Sequence, residues 1–301
     1  MAPITDLSHL LNPLVTPAQL ETCSSQLDGV PRDLEASICF ETSRLIQAAG
    51  ILLHLPQEII AQAIVILQRF WSGPDGGSML DYDSKDVAAA AMYLTAKPSA
   101  QPVSPRQLLT SFAFLSSLAP GELARSDADG KLGAEWQFSE GDYERARDRL
   151  YAIEAQILRT LGFQTHVALP QPLCINYLQT LDAFGSPEEG SAVAKRAFEH
   201  LNSALLSPQM VFLTHQPHAL AVSAIYLAAR EVEVKLPGVE WWEVFDVDRE
   251  ELGFLVVALR SVEGFAAEEK QKWGQRKVPV TVENLRDEIE RARMLEAGAD
   301  A

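Results

Sequence analysis

His215 and His218 stand three residues apart beside Pro217, a spacing at which two imidazoles can share a metal on one helical face. No Cys or acidic residue lies nearby in sequence to complete a ligand set, so capping or core packing is the expected role of the pair. Asp81, Asp83 and Asp86 lack the DDxxD spacing that chelates magnesium on a helix. They read more simply as a helix-start cluster favoured by the helix dipole. Gly76-Gly77 lies in an interhelix loop with no phosphate-cradling context. Cys23, Cys39 and Cys174 form neither a disulfide framework nor a CxxC pair, and read as small buried hydrophobes of a reducing compartment. GxSxG, HExxH, Walker-type and GxGxxG motifs are all missing. The expectation is a protein that is not an enzyme, with no catalytic, cofactor-binding or metal residues.

Two other charges invite a different chemistry. Lys97 ends a segment that is otherwise apolar, and Glu154 sits between Ile153 and Ile157. Polar tips beside an apolar floor suit recognition of exposed main-chain groups on a partner. Read alone, the same two residues are equally solvated charges with an intramolecular ion pair at most. The formal net charge of −16 bears on the partner class. Nucleic-acid binders need Lys and Arg to neutralise phosphate, and 25 basic against 41 acidic residues with no basic block argues against direct nucleic-acid binding. No apolar run approaches the roughly 20 residues that span a bilayer, and the first residues do not read as a secretory signal, so no membrane association is expected.

The elements that must carry these residues announce themselves by repetition. Residues 91–97 read Ala-Met-Tyr-Leu-Thr-Ala-Lys, and 133 positions later residues 224–230 read Ala-Ile-Tyr-Leu-Ala-Ala-Arg. That offset is too long for a solenoid repeat and fits two similar domains in tandem. Each copy is rich in Ala and follows a helix-start signal, Ser84 for one, Thr214 and Pro217 for the other. A helix clothed in Ala lets neighbours approach on every side, which marks the centre of a bundle. The expected hubs are 84–97 and 216–231.

Around the first hub the sequence predicts a short helix at about 17–28, a longer one after Pro31, and another opened by Pro56. Ser104-Pro105 opens the next. Ser139 starts a long helix that Gly162 stops. Residues 118–138, rich in Gly, Asp and Ser, read as a surface loop. After an extended linker over 163–169, helices are expected at about 171–183, 188–206 and 216–232, near 239–245, and through Leu252, Leu255, Val256 and Leu259. The apolar pattern dissolves after about 266 and resumes weakly from Val282 to Ala292. The fold class is all-α, two tandem five-helix bundles with flanking helices. The domains are 1–32, 33–165, 166–265 and a charged segment 266–301.

Such a tandem resembles the cyclin fold. The run Leu45-Ile46-Gln47-Ala48-Ala49-Gly50-Ile51-Leu52-Leu53-His54-Leu55-Pro56-Gln57 is similar to the first helix of L-type cyclins. So are the Thr16-Pro17 lead-in, Asp28-Gly29, and Gln68-Arg69-Phe70-Trp71 in the second helix. Leu161-Gly162-Phe163, His166-Val167 and Pro170 resemble the linker between the boxes, and Gln216-Pro217 with Ile225-Tyr226-Leu227-Ala228-Ala229-Arg230 the second box. Trp241-Trp242-Glu243-Val244-Phe245 also looks like the cyclin that partners the tenth cyclin-dependent kinase. The likeness spans about 14–264. It implies a regulatory subunit that binds and activates a cyclin-dependent kinase in transcription or pre-mRNA processing, in the nucleus, with a PITSLRE-type kinase as the partner. It implies kinase-binding roles for Lys97 and Glu154, with Leu94, Leu158 and Phe163 as the apolar residues that receive a side chain of the kinase C helix.

The sequence departs from the family in places. Most cyclins follow the Lys with an apolar residue and two acids, whereas this chain has Pro98-Ser99-Ala100. Gln47, Ile51 and His54 replace the substrate patch of cell-cycle cyclins, so RxL docking is not expected. No Arg-Ser run of the kind seen in metazoan L-type cyclins occurs before Ala301. The alternatives are another transcriptional cyclin (C, K or Q type) or a IIB-like two-box transcription factor. The latter should show a basic face and a zinc ribbon.

Overall fold

The computed structural model describes residues 10–72, 75–118, 138–236, 238 and 240–299. The segment read as a surface loop lies, except for its two ends, outside the described residues. Among those described, all regular structure is helical, and no helix is long and apolar enough to cross a membrane. In chain order the helices are α1 (Pro17–Glu21), α2 (Ser24–Leu27), α3 (Arg32–Leu52), α4 (Gln57–Trp71), α5 (Ser84–Ala96), α6 (Pro105–Ser117) and α7 (Glu140–Thr160). They continue as α8 (Pro170–Thr180), α9 (Pro187–Ala204), α10 (Val211–Thr214), α11 (Pro217–Glu231), α12 (Arg249–Lys272) and α13 (Val282–Ala299). A 3-10 turn at Trp241–Phe245 precedes α12. The two short elements the sequence did not signal are α10 and a 3-10 turn at Ala183–Gly185.

The chain forms two compact units, neither of them contiguous. One comprises 17–165 with 267–301, and the other comprises 1–16 with 166–266. In the first unit α5 is the hub, touching α3, α4, α6 and α7. Val87, Ala88, Ala90, Ala91, Met92 and Ala96 are wholly buried, because a helix surfaced in methyl groups leaves room for partners on all sides. In the second unit α11 fills the same role against α8 and α9, with Ala219, Ala221, Ala224 and Ala228 wholly buried.

Local chemistry sets the helix ends that matter for the site. Ser104 and Gln107 form a reciprocal capping box at the start of α6. The Ser139 hydroxyl accepts from the Asp142 N–H at the start of α7. Asp83, not Ser84, takes the cap position of α5, and its carboxylate also accepts from Val282 N–H at 2.7 Å. That bond helps hold α13 on the first unit, where Leu285 is buried. The charged stretch past 266 continues as helix to Lys272. Glu, Gln and Lys are good helix formers, and Lys270 and Lys272 suit the negative end of the dipole. In the second unit, Asn12 stitches the N-terminal arm in place. Its side chain exchanges two 2.8 Å bonds with the Ala168 backbone, and its backbone exchanges two 3.0 Å bonds with the Gln216 amide.

Gly50 marks the closest approach of α3 and α4. A Cβ there would overlap the Ile60 side chain and crowd Met92. Gly50→Ala is therefore expected to destabilise the first unit by about 1–3 kcal/mol, despite the higher helix propensity of Ala. A urea midpoint at or above that of the wild type would show that Ile60 yields freely.

Glu231 ties the end of α11 to α9 through Arg196 (2.6 Å) and His200 (2.8 Å). Although burial pushes its carboxyl up, the bonds from Arg196 and His200 prevail and hold it below its ordinary value. A carboxyl depressed in the folded state stabilises above its unfolded pKa, and that contribution is lost as pH falls through the folded value. Glu231→Gln should thus lower the melting midpoint at pH 7, and the difference from wild type should vanish below the usual carboxylate range. A pH-independent difference would assign the effect to packing.

Candidate functional site

Lys97 follows directly on α5, its N–H still bonded to Tyr93 O at 2.9 Å. Pro98 then ends the helix, and Ser99 builds the turn by bonding back to Ala96 O through both N–H and hydroxyl. Glu154 projects from the middle of α7, the helix packed on α5. The Lys97 ammonium and a Glu154 carboxylate oxygen meet at 2.6 Å. The pair is lopsided, with the Lys97 side chain 54% exposed and that of Glu154 only 8%. An ammonium at the rim therefore covers a carboxylate that water scarcely reaches.

Aromatic rings frame the pair. The Lys97 ammonium lies 5.4 Å from the Tyr93 ring centre, and the Tyr93 and Tyr151 rings are 6.0 Å apart. Tyr93 is buried and bonded to Tyr151. Burial foremost, then that bond, pushes its hydroxyl up to about 12, so it stays a neutral donor. Tyr151, Glu154 and Leu158 occupy successive turns along one side of α7. Tyr151 remains 42% exposed. Leu158 is half-buried and Leu94 is buried within α5.

Phe163 completes the set by an unusual route. Helix α7 ends with Phe163 N–H bonded to Leu158 O at 2.8 Å and Gly162 N–H bonded to Arg159 O at 3.0 Å, a Schellman-type stop. Gly162 takes φ +55°, which glycine adopts freely, and Phe163 takes φ +63°, which it does not. Its ring is left 71% exposed. A strained backbone presenting an exposed aromatic side chain is a feature that folding alone does not reward.

The structure thus pairs Lys97 with Glu154, places Leu158 one turn along from Glu154 and Leu94 one turn before Lys97, and sets Phe163 at the end of the same helix. Sequence reasoning missed the two tyrosines. Their signal was available, since Tyr93 and Lys97 are four apart and Tyr151 and Glu154 three apart on helices. Two exposed aromatic residues, Tyr151 and Phe163, with aliphatic neighbours and one ion pair make a surface suited to another protein. Among the described residues no group of three or more His, Cys, Asp or Glu is placed to hold a metal. His215 is held by a 2.9 Å bond to Thr214 and stacks on Phe254 at 5.3 Å, and burial lowers its pKa.

No family model matches the chain. Among known proteins it is similar to human Cyclin-L2, at 30% identity over 247 residues covering 82% of this chain and 44% of that protein. It is likewise similar to Cyclin-L1-1 of Arabidopsis thaliana, at 32% identity over 77% of this chain and 51% of that protein. The zebrafish (Danio rerio) Cyclin-L1 matches at 28% over 80% of this chain and 45% of that protein. The chain spans about half the length of these relatives. Its fold matches a chain of the yeast RNA Pol II CTD kinase CTDK-1 complex, with TM-score 0.64, 13% identity, and coverage of 94% of this chain and 84% of that one. It also matches a chain of the CAK complex of Chaetomium thermophilum, with TM-score 0.55, 18% identity, and coverage of 97% and 83%. Each of these sequence relatives is an L-type cyclin, and this chain is similar to them over about four fifths of its length.

Proposed function

We propose that this chain is an L-type-like cyclin, the regulatory subunit of a cyclin-dependent kinase of the PITSLRE type, acting in nuclear transcription and pre-mRNA processing. The observation that carries the site is the half-exposed Lys97 over a buried Glu154, flanked by the strained, exposed Phe163. Lys97 spends one of its three donors on Glu154 and has others for backbone carbonyls of a partner helix. Leu94 and Leu158 supply an apolar floor, and Phe163 and Tyr151 an aromatic wall. Similarity to L-type cyclins supports the kinase partner and the transcriptional setting.

The mechanism is selection of a kinase conformation. A helix held inward on this patch would complete the kinase's own Lys–Glu pair, which positions ATP phosphates, and would favour an ordered activation loop. The chemistry belongs to the kinase. Pro98 replaces an apolar residue usual in cyclins, which leaves Phe163 a larger share of the apolar contact.

The test is affinity purification of the tagged chain from native cells, with identification of the co-purifying kinase and assay of its activity with and without this subunit. A stoichiometric cyclin-dependent kinase whose activity rises on binding is expected. Purification without any kinase, or with one whose activity is indifferent, would overturn the proposal.

A further inference from the structure

The second unit holds a groove remote in sequence from the Lys97 patch. Its walls are the C-terminal half of α11, the 3-10 turn at Trp241–Phe245 and the first turns of α12. Its main chamber encloses about 700 Å³, and an adjoining one of about 260 Å³ runs between α11 and Trp241. The two share Tyr226, Arg230, Glu240 and Trp242. Leu252 and Val256 form part of the apolar floor.

What distinguishes the groove is its charge in a chain of net −16. Arg230, Arg249 and Arg260 all line it. Arg230 is steadied by a 2.9 Å bond to the Tyr226 hydroxyl. Among the described residues, Arg249 and Arg260 make no ion pair or side-chain hydrogen bond, and neither does Arg230 pair with a carboxylate. Of the two lining carboxylates, Glu231 is already engaged by Arg196 and His200. That leaves Glu240 against three guanidinium groups. Arg249 also sits in the first turn of α12, where a cation opposes the helix dipole. The Trp242 indole N–H is buried without an acceptor among the described residues. Unpaired guanidinium groups beside an aromatic wall describe a site suited to an acceptor-rich occupant.

The spacing says which occupant. Arg249 and Arg260 are three helical turns apart, about 16 Å along α12. One compact anion does not bridge that span, whereas an extended peptide of about five residues does. The geometry points to this groove as the docking site of an acidic linear peptide of a partner protein, with Asp or Glu at its ends and an apolar side chain between. The end carboxylates meet Arg249 and Arg260, Arg230 takes a central acceptor, and the apolar residue packs on Trp242 and Tyr226. This surface is separate from the proposed kinase patch, so it serves substrate or third-partner recruitment and stands or falls independently.

The test is fluorescence anisotropy with the full chain and a short fluorescein-labelled peptide carrying an Asp-Glu pair on each side of a central Phe. Binding in the micromolar range is expected, weakening with added salt. Charge reversal in Arg249→Glu/Arg260→Glu should weaken it at least tenfold, with unchanged circular dichroism. The milder Arg249→Gln and Arg260→Gln guard against misfolding and should each weaken it severalfold. A peptide with Gln for its acids should not bind, since it keeps the Phe but brings no charge to the arginines, and an uncharged probe is indifferent to the net charge of −16. Equal binding of the Gln peptide, affinity indifferent to both arginines, or no binding of the acidic peptide at millimolar protein would overturn the inference.

Discussion

Replacing Phe163 by glycine is expected to weaken kinase binding about thirtyfold or more while leaving the fold as stable as before. The two effects have separate causes. With its ring 71% exposed and its φ at +63°, Phe163 contributes little core burial and carries backbone strain on the order of 1 kcal/mol. Glycine removes that strain but adds freedom to the unfolded chain, an opposing effect of about 0.4–1 kcal/mol. The net change in stability is therefore near zero. Binding should respond differently, because an aromatic anchor in an interface centre is worth about 2 kcal/mol or more, a factor of roughly thirty. Phe163→Leu should fall between, keeping apolar area and strain but losing the ring. Calorimetric affinity for the kinase, beside urea unfolding of the free chain, separates the outcomes. Undiminished affinity in Phe163→Gly would remove Phe163 from the interface. A large loss of stability would show that the ring supports the end of α7.

Much of this was legible in the sequence, and the reasons differ from element to element. The hubs α5 and α11 were legible because small residues on every side of a helix have one structural use. Ser104, Ser139 and Gly162 were legible because caps act on the nearest turn. The placement of 1–16 with the second unit and of 267–301 with the first was not legible. It depends on the Asn12 amide reaching Ala168 and on Asp83 reaching Val282, bonds between residues more than 150 positions apart. The extension of α12 to Lys272 escaped because the apolar period fades there while helix propensity does not. At the candidate site, the pairing of Lys97 with Glu154 could be entertained from sequence, but not its asymmetry. Glu154 reads as a charge outside the core, yet α7 lies so close on α5 that its side chain is only 8% exposed. The groove arginines lie on two helices about thirty residues apart at their extremes, and only the fold brings them onto one lining.

That asymmetry reshapes what truncation of the pair should do. Outside the core, either residue could be cut to Ala without touching the fold. With Glu154 buried, Lys97→Ala leaves a carboxylate with reduced access to water and no cation. An unmet buried acceptor typically costs about 1–3 kcal/mol, and the half-exposure of Lys97 places this case toward the lower end. Glu154→Gln removes the charge yet keeps an acceptor for Lys97, and should cost less. Stability is thus expected to fall in the order wild type, Glu154→Gln, Lys97→Ala. In the double variant the loss should be smaller than the sum of the two, because its neutral amide no longer needs the cation. Binding should follow another order. If both groups bond to main chain of the kinase helix, each single change should cost about 2–5 kcal/mol of affinity, which is roughly thirtyfold or more at the low end. An exposed residue of the second unit, Glu263 in the interior of α12, provides the control, and Glu263→Ala should change neither quantity. The decisive comparison is Glu154→Gln, whose fold is nearly spared. Wild-type kinase affinity in that variant would reduce the pair to a clamp between α5 and α7, and would leave Phe163 and Tyr151 as the contacts to test next. Impaired affinity with intact unfolding would instead show that the buried carboxylate is kept charged for the partner rather than for the fold.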